Sequence, residues 1–112
     1  MRIALLNTPS GYDGLLGTLP LGVDIANELE EPCDLIHGFY VLRGALQEDF
    51  LRLVQTLADA GSLWISWPKQ SSKVETDLDE NIIREIGLAH GLVDGEVAAV
   101  DSTWSALKFV RA

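Results

Sequence analysis

The stretch "CDLIHGFYVLRGALQEDFLRLVQTLADAGSLWISWPK", residues 33 to 69, carries two buried-strand signals with one helix signal between them. "CDLIHGFYV" (33–41) and "SLWISW" (62–67) are apolar on consecutive residues, as is typical of strands covered on both faces in a parallel sheet. Gly61 supplies the predicted stop of the helix. The residues between the two strands place apolar side chains at helical spacing: Leu46, Phe50, Leu53, Val54 and Leu57.

The residues on the N-terminal side add two further strands to this unit. "RIALLN" (2–7) is a third buried strand signal, and "LGVDIANEL" (21–29) alternates apolar and polar residues like an edge strand. The proline and glycines between them leave room for at most a short helix near 12–18.

The C-terminal side predicts a second helix and a hairpin. Asp77 and Glu80 form a helix start signal and Gly91 ends the helix. Its apolar face is predicted to contain Leu78, Ile82, Ile86 and Ala89. The tail "EVAAVDSTWSALKFVRA" predicts two strands joined around 101–104.

This order of elements predicts one α/β domain over residues 1–112. We expect a three-layer Rossmann-like fold with a mostly parallel sheet, right-handed crossovers and a C-terminal antiparallel hairpin. The order of the later elements resembles the second half of a methyltransferase domain, so we expect a methyltransferase-like topology.

Composition excludes several classes of partner. Eight basic and 17 acidic residues give a net charge of −9, which repels nucleic acid and anionic membrane surfaces.

The single cysteine, Cys33, and the absence of a basic and apolar leader predict a protein of the reducing cytoplasm. Cys33 and His37 lie about 13 Å apart on one strand, too far to share an ion, and no metal site is expected.

Four motifs in the C-terminal half are similar to those of a known family. The segment 63–111 resembles the C-terminal part of the DUF3052 family of small bacterial proteins, and residues 2–20 resemble it more loosely. The family has no established activity, so the resemblance has implications for the fold more than for the function. The motifs are "WPK" (67–69), "TDL" (76–78), "GLVD" (91–94) and "AVDSTWSALK" (99–108).

The first turn argues against a nucleotide-type cofactor. A working S-adenosylmethionine enzyme of this architecture is expected to carry a glycine-rich turn after its first strand and an acidic residue after the second. Here the turn reads "NTPSGYDG", which has no G-x-G, and Pro9 removes one backbone donor. We therefore expect no cofactor, although Glu28 or Glu30 could imitate the acidic residue.

The candidate site lies at the carboxyl ends of the strands, where open α/β sheets bind their ligands. This edge is predicted to gather residues from four parts of the chain. We expect Trp67 to be partly exposed, either as a lid over a pocket or as a packing plug under the hairpin. Trp67 and Trp104 are predicted to form an aromatic wall beside Lys69, a surface suited to a flat or anionic ligand; the alternative is that Trp104 seals the hairpin against Trp67 and leaves no cavity. The candidate ligand-binding residues are Asn7, Thr8, Tyr40, Trp67, Lys69 and Trp104, with Ser10 and Arg43 nearby.

Other chemistry has weaker support. Trp64 is expected in the core, and His37 is expected to be a hydrogen-bonded core histidine. A Ser-His-Asp set from residues 101–103 and the two histidines lacks the G-x-S-x-G elbow of a nucleophilic serine.

Three functions follow from these observations as hypotheses. The favoured one is a cytoplasmic binding or protein-interaction module without catalytic residues. The alternative is a small enzyme that acts on an anionic metabolite, with Lys69 as an electrostatic clamp and Asn7 or Thr8 as donors. A third is a structural subunit that a second copy completes as a homodimer.

Overall fold

The computed structural model describes residues 2–7, 24–26, 32–100 and 102–111. Within these residues, six strands form a single sheet in the order β2-β1-β3-β4-β6-β5, and two α-helices accompany it. The elements are β1 (Arg2–Leu6), β2 (Asp24–Ala26), β3 (Cys33–Phe39), α1 (Arg43–Thr56), β4 (Leu57–Pro68), α2 (Glu80–Ala89), β5 (Leu92–Ala99) and β6 (Trp104–Arg111), with a 3-10 turn at Gln70–Ser72.

The strands of the described sheet run parallel to one another except β6, which lies next to β5 at one end of the sheet. β1 pairs in parallel with both β2 and β3, and β3 pairs in parallel with β4. β6 lies antiparallel between β4 and β5. The predicted α/β class, a Rossmann-like and mostly parallel sheet with a C-terminal antiparallel hairpin, is confirmed. Of its helical layers, the described residues provide one, and the predicted short helix near 12–18 lies outside them.

The main core lies between the sheet and the two helices. Residues that alternate along the strands point toward α1 and α2, and each fully buried large side chain contributes roughly 1.5–3 kcal/mol. Phe50 of α1 and Phe109 of β6 meet edge to face, with ring centroids 6.2 Å apart. The fully buried members from the sheet and the helices include Ile36, Leu46, Phe50, Leu53, Leu63, Ile65, Ile83, Leu107 and Phe109.

The opposite face of the sheet carries a smaller apolar cluster. Leu5 and Phe39 are buried there, and Ile3, Val100 and Trp104 pack against them. The two clusters show that the central strands bury side chains on both faces. This agrees with the consecutive apolar residues from which these strands were predicted.

Helix α1 ends earlier than its sequence predicts. It stops at Thr56, and residues 57–60 belong to β4. The Arg111 guanidinium donates hydrogen bonds to the carbonyls of Val54 (2.6 Å) and Leu57 (2.5 Å) and so ties the end of β6 to the point where α1 passes into β4. Gly61 is required for a different reason, because a Cβ there would lie 2.9 Å from the carbonyl oxygen of Cys33.

Helix α2 begins later than predicted and presents a rotated face to the core. Its N-cap is Asp79, whose carboxylate accepts from the backbone N–H of Ile82 at 2.8 Å. The predicted cap, Asp77, instead accepts from the backbone N–H of Arg43 at 2.6 Å. Of the predicted apolar face, Leu78 is buried just ahead of the helix, Ile82 is half-buried, Ile86 is buried and Ala89 is exposed, whereas Ile83 and Gly87 complete the buried face.

Gly87 is a position at which α2 packs closely against β6. A Cβ built on Gly87 would lie 2.1 Å from Cε1 of Phe109, well inside van der Waals contact. A glycine inside a helix costs ~1 kcal/mol relative to alanine. Close packing against Phe109 explains why a glycine occupies this position despite its lower helix propensity.

We expect Gly87→Ala to lower the free energy of unfolding by about 1–3 kcal/mol, because the new methyl group displaces the Phe109 ring or the helix. The matched control is Gly44→Ala in α1, where a Cβ meets nothing within 4 Å. The control should gain up to ~1 kcal/mol from helix propensity. Urea denaturation of both variants measures the difference, and equal stabilities would contradict the tight packing at Gly87.

Candidate functional site

The carboxyl ends of the parallel strands meet at one edge of the sheet. Asn7 follows β1 with a φ of 56°, in the left-handed region that asparagine tolerates better than most residues. Tyr40 follows β3, and Lys69 follows β4. Trp104 begins the antiparallel strand β6 opposite Pro68, so it reaches the same edge. Asn7, Tyr40, Lys69 and Trp104 therefore come together at this edge, as predicted. Thr8 and Ser10 lie outside the described residues.

Trp67 and Trp104 lie on opposite faces of the sheet, so the predicted aromatic wall is wrong. Trp104 pairs with Pro68, and Trp67 pairs with Ser105, which offsets the two tryptophans by one residue. Successive strand residues face opposite sides, so this offset separates the rings. Trp67 joins the core on the helix side, and Trp104 meets Phe39 edge to face at 5.2 Å on the other side.

Trp67 is more buried than predicted, and Trp64 is less buried than predicted. Trp67, predicted to be partly exposed, is only 7% exposed. Trp64, predicted to be in the core, is half-buried on the face opposite the described helices, where the Lys108 ammonium lies 5.9 Å from its ring centroid. The two helices cover the face to which Trp67 points, and this is why the residue nearer the strand exit is the more buried one.

Tyr40 is built into the fold at the candidate edge. Its side chain is 2% exposed, and a Cβ on Gly38 would lie 2.7 Å from Cε2 of the Tyr40 ring. The hydroxyl donates to the carboxylate of Asp49 on α1 at 2.8 Å, and the backbone N–H donates to the Ser66 carbonyl at 3.0 Å. Burial, together with the hydrogen bond to Asp49, raises the pKa of Tyr40. The ring thus closes the end of β3 on the helix side.

Loop 69–77, which follows β4, forms an open groove at the same edge. The groove has a volume of about 680 Å³. Two hydrogen bonds, both 2.6 Å long, fix the loop to the segment that joins β3 to α1: the Thr76 hydroxyl donates to the Val41 carbonyl, and the Asp77 carboxylate accepts from the Arg43 backbone N–H. We call this the edge groove, and it is lined by Leu42, Gln70, Lys73, Val74, Glu75, Thr76 and Asp77.

Lys69 lies where β4 enters this loop. Its backbone N–H donates to the Thr103 carbonyl at 2.8 Å, and its carbonyl accepts from the Ser72 hydroxyl at 2.6 Å. Lys73 ends the 3-10 turn with a φ of 61° and lines the edge groove. Of the six candidate residues, the structure therefore brings Asn7, Tyr40, Lys69 and Trp104 to one edge and turns Trp67 into the core. Ligand binding by these residues stays a prediction.

A histidine and a serine form a buried pair on the face opposite the helices. His37 Nε2 and Ser66 Oγ lie 2.6 Å apart, and the His37 ring stacks on Phe39 with centroids 4.4 Å apart. The expectation of a hydrogen-bonded core histidine is confirmed. Burial lowers the pKa of His37 from 6.5 to about 4, because the charged imidazolium loses its hydration. His37 also borders an apolar cavity of about 270 Å³, which Trp64 lines as well.

Two further observations concern metals and membranes. Among the described residues, no group of three or more histidine, cysteine, aspartate or glutamate side chains is placed to hold a metal ion. Cys33 is fully buried. In the same part of the chain, neither helix has the length and apolar character needed to cross a membrane.

Comparison with known proteins supports the fold and gives no family. No protein-family model matches the chain, so the resemblance to DUF3052 stays a prediction. No curated protein matches it either.

The solved structures similar to this chain include several methyltransferases and complexes with SAM or SAH. A SAM-dependent methyltransferase from Aquifex aeolicus matches 97% of this chain and 81% of its own, with a TM-score of 0.66 and 14% identity. Magnesium protoporphyrin IX methyltransferase from Synechocystis, with bound SAH, matches 80% of this chain at a TM-score of 0.62 and 14% identity. The LepI complex with SAM matches 99% at 0.59 and 13%.

The chain spans only 36% of the length of LepI and 51% of the Synechocystis enzyme. At these identities the likeness concerns the fold alone. The chain therefore has a Rossmann-like fold of the SAM-dependent methyltransferase type, and the predicted methyltransferase-like topology is confirmed.

The buried His37 generates a prediction about pH. Folding favours the neutral imidazole, so its contribution to stability is complete above pH 6.5 and is lost as the pH falls toward 4. Between pH 7.5 and 5.0 this group alone should remove about 2 kcal/mol from the free energy of unfolding. Urea melts at both pH values measure the loss for the wild type and for His37→Gln, and the variant should lose about 2 kcal/mol less. An identical loss in both proteins would contradict the assignment.

Proposed function

We propose that this chain is a binding or protein-interaction module of the cytoplasm, with a methyltransferase-like fold but without S-adenosylmethionine chemistry. On this proposal the carboxyl edge of the sheet is the binding surface, and a macromolecular partner occupies it. Nucleic acid and anionic membrane surfaces are unsuitable partners because the net charge of the chain is −9.

The observation that carries the proposal is the position of Tyr40. The strand order reverses between β1 and β3, and ligands of open α/β sheets bind in the crevice at that point. Tyr40 follows β3 at this crevice, with its ring packed against Gly38 and its hydroxyl held by Asp49. A buried side chain of the protein itself thus occupies space on the helix side of the crevice.

The sequence of the first turn supports the same conclusion. In "NTPSGYDG", Gly11 and Gly14 are not spaced as G-x-G, and Pro9 lacks the N–H that a phosphate- or carboxylate-binding turn would use. The SAM and SAH in the solved structures are ligands of those proteins. The proposal for this chain rests on its own residues.

The shape of the edge groove favours binding over catalysis. Enzyme sites exclude water around the reacting atoms, and ligand pockets bury most of the ligand surface. The edge groove is broad and open to solvent, and surface residues of one loop form most of its lining. Such a surface suits a segment of another protein better than a small substrate.

The prediction that tests the proposal is that S-adenosylmethionine and S-adenosylhomocysteine do not bind. The first turn lacks the glycine spacing, and Tyr40 occupies part of the crevice, so isothermal titration calorimetry should give no heat of binding for either compound. A dissociation constant in the micromolar range for either one would overturn the proposed function and leave the description of the fold intact.

The alternative function, a small enzyme acting on an anionic metabolite, gives a different result in a thermal-shift panel. Lys69 is half-buried at the edge and follows β4 directly, so it is placed to contact an anion there. A rise in melting temperature with one sugar phosphate or nucleotide, lost in Lys69→Ala, would favour the enzyme. The binding module predicts no such shift across the panel.

A further inference from the structure

We propose that the edge groove docks an extended peptide segment of a partner protein, in which an apolar side chain lies next to basic ones. This inference rests on the proposed function and names the chemistry of the partner. It is carried by the exposed apolar residues of the groove, its hydrogen-bonded loop, its continuation between the helices and its charge.

Two large apolar side chains are exposed in the groove. Leu42 is 62% exposed and Val74 is 44% exposed, although both lie beside buried elements of the fold. They come from different parts of the chain, the start of α1 and the loop after β4, yet both line the same cavity. An apolar side chain of a partner can bury surface against both residues, and this burial is the main source of binding energy in peptide grooves.

Hydrogen bonds restrict the conformation of the loop that carries Val74. The Ser72 hydroxyl accepts from the Val74 N–H at 3.3 Å, and the Thr76 hydroxyl accepts from the Leu78 N–H at 3.1 Å. The bonds from Thr76 to Val41 and from Arg43 to Asp77 fix the loop to the segment that joins β3 to α1. A groove whose loop is already restricted loses less entropy when a ligand binds.

The groove adjoins a second cavity between the helices. Leu42 lines the edge groove, and the next residue, Arg43, lines a cavity of about 230 Å³ between α1 and α2. Ile82 contributes half-buried apolar surface to this second cavity. Because consecutive residues line the two cavities, we infer that an extended peptide can contact both, which a compact metabolite cannot do.

The charge of the surface selects a basic partner. Glu75 and Asp77 outnumber the single cation Lys73 among the residues that line the edge groove, whereas Glu85 and Arg43 balance each other in the lining of the second cavity. In the described part of the chain the Glu75 carboxylate forms no ion pair or hydrogen bond. The net charge of −9 adds long-range attraction for a cationic segment, which raises its rate of association.

The test uses fluorescein-labelled decapeptides and fluorescence anisotropy at about 150 mM salt, where long-range attraction is screened beyond ~8 Å. The probe contains leucines among lysines. One comparison peptide replaces lysine by glutamate, and another replaces leucine by serine. We expect the leucine–lysine peptide to bind more tightly than either comparison peptide.

Two variants and two matched controls separate docking from general attraction. Leu42→Ser and Glu75→Gln should each weaken binding of the leucine–lysine peptide about fivefold, as truncation of a central contact does. Leu51→Ser and Glu48→Gln change an exposed leucine and an exposed glutamate of α1 outside both cavities and should leave the affinity unchanged.

Equal effects of variants and their matched controls would show that the peptide does not bind at the edge groove and would overturn the inference. Preferential binding of the leucine–glutamate peptide, or no binding of any peptide, would also overturn it. These failures differ from failure of the proposed function, which calorimetry with S-adenosylmethionine reveals independently.

Discussion

The position of Phe109 is the constraint on which most of this structure depends. The ring is fully buried, it meets the Phe50 ring of α1 edge to face, and it leaves no room for a side chain at Gly87 of α2. One residue of the last strand therefore sets the distance of both helices from the sheet. Because interiors are packed as densely as organic crystals, such a contact fixes neighbouring elements to within a fraction of an ångström.

The same strand also determines what the candidate site looks like. β6 runs antiparallel to β4, and its register opposes Trp104 to Pro68. This register brings Trp104 to the carboxyl edge but sends its ring to the face away from Trp67. If the register of β6 against β4 were shifted by one residue, both indoles would lie on one face of the sheet, because a one-residue shift moves every side chain of a strand to the opposite face. The surface that remains at the edge on the helix side is the groove of loop 69–77.

The sequence predicts the elements of this fold better than their boundaries. Runs of consecutive apolar residues identify β1, β3 and β4 because both faces of these strands are covered. Gly61 was misleading as a helix stop because its real constraint is the nearby carbonyl of Cys33, which lies far away in sequence. Aspartate is a common helix cap, so the sequence does not distinguish Asp77 from Asp79; the hydrogen bond from the Ile82 N–H identifies Asp79 as the cap, and Asp77 binds the Arg43 N–H instead.

The site was predictable only in part, for the same reason. Strand order places Asn7, Tyr40 and Lys69 at one edge, and the sequence alone supports that inference. The burial of Tyr40 depends on Asp49, which lies on the helix packed above it, and local pattern does not report such a contact. The lining of the edge groove was missed because Leu42 and Val74 have no periodic neighbours. The "TDL" motif, which contains Thr76 and Asp77, was the one available signal for it.

The place of β6 within the sheet also has a consequence for synthesis of the chain. β5 emerges from the ribosome before β6, yet among the described strands β6 is its neighbour in the sheet. Arg111, at the end of β6, is also the residue whose guanidinium ties this strand to the C-terminal end of α1. Until residues 104–111 have emerged, β5 has no hydrogen-bonded place in the sheet and the core lacks the Phe109 ring. Completion of the sheet and of its core therefore depends on residues 104–111, which supply both the hydrogen-bond partner of β5 and the Phe109 ring.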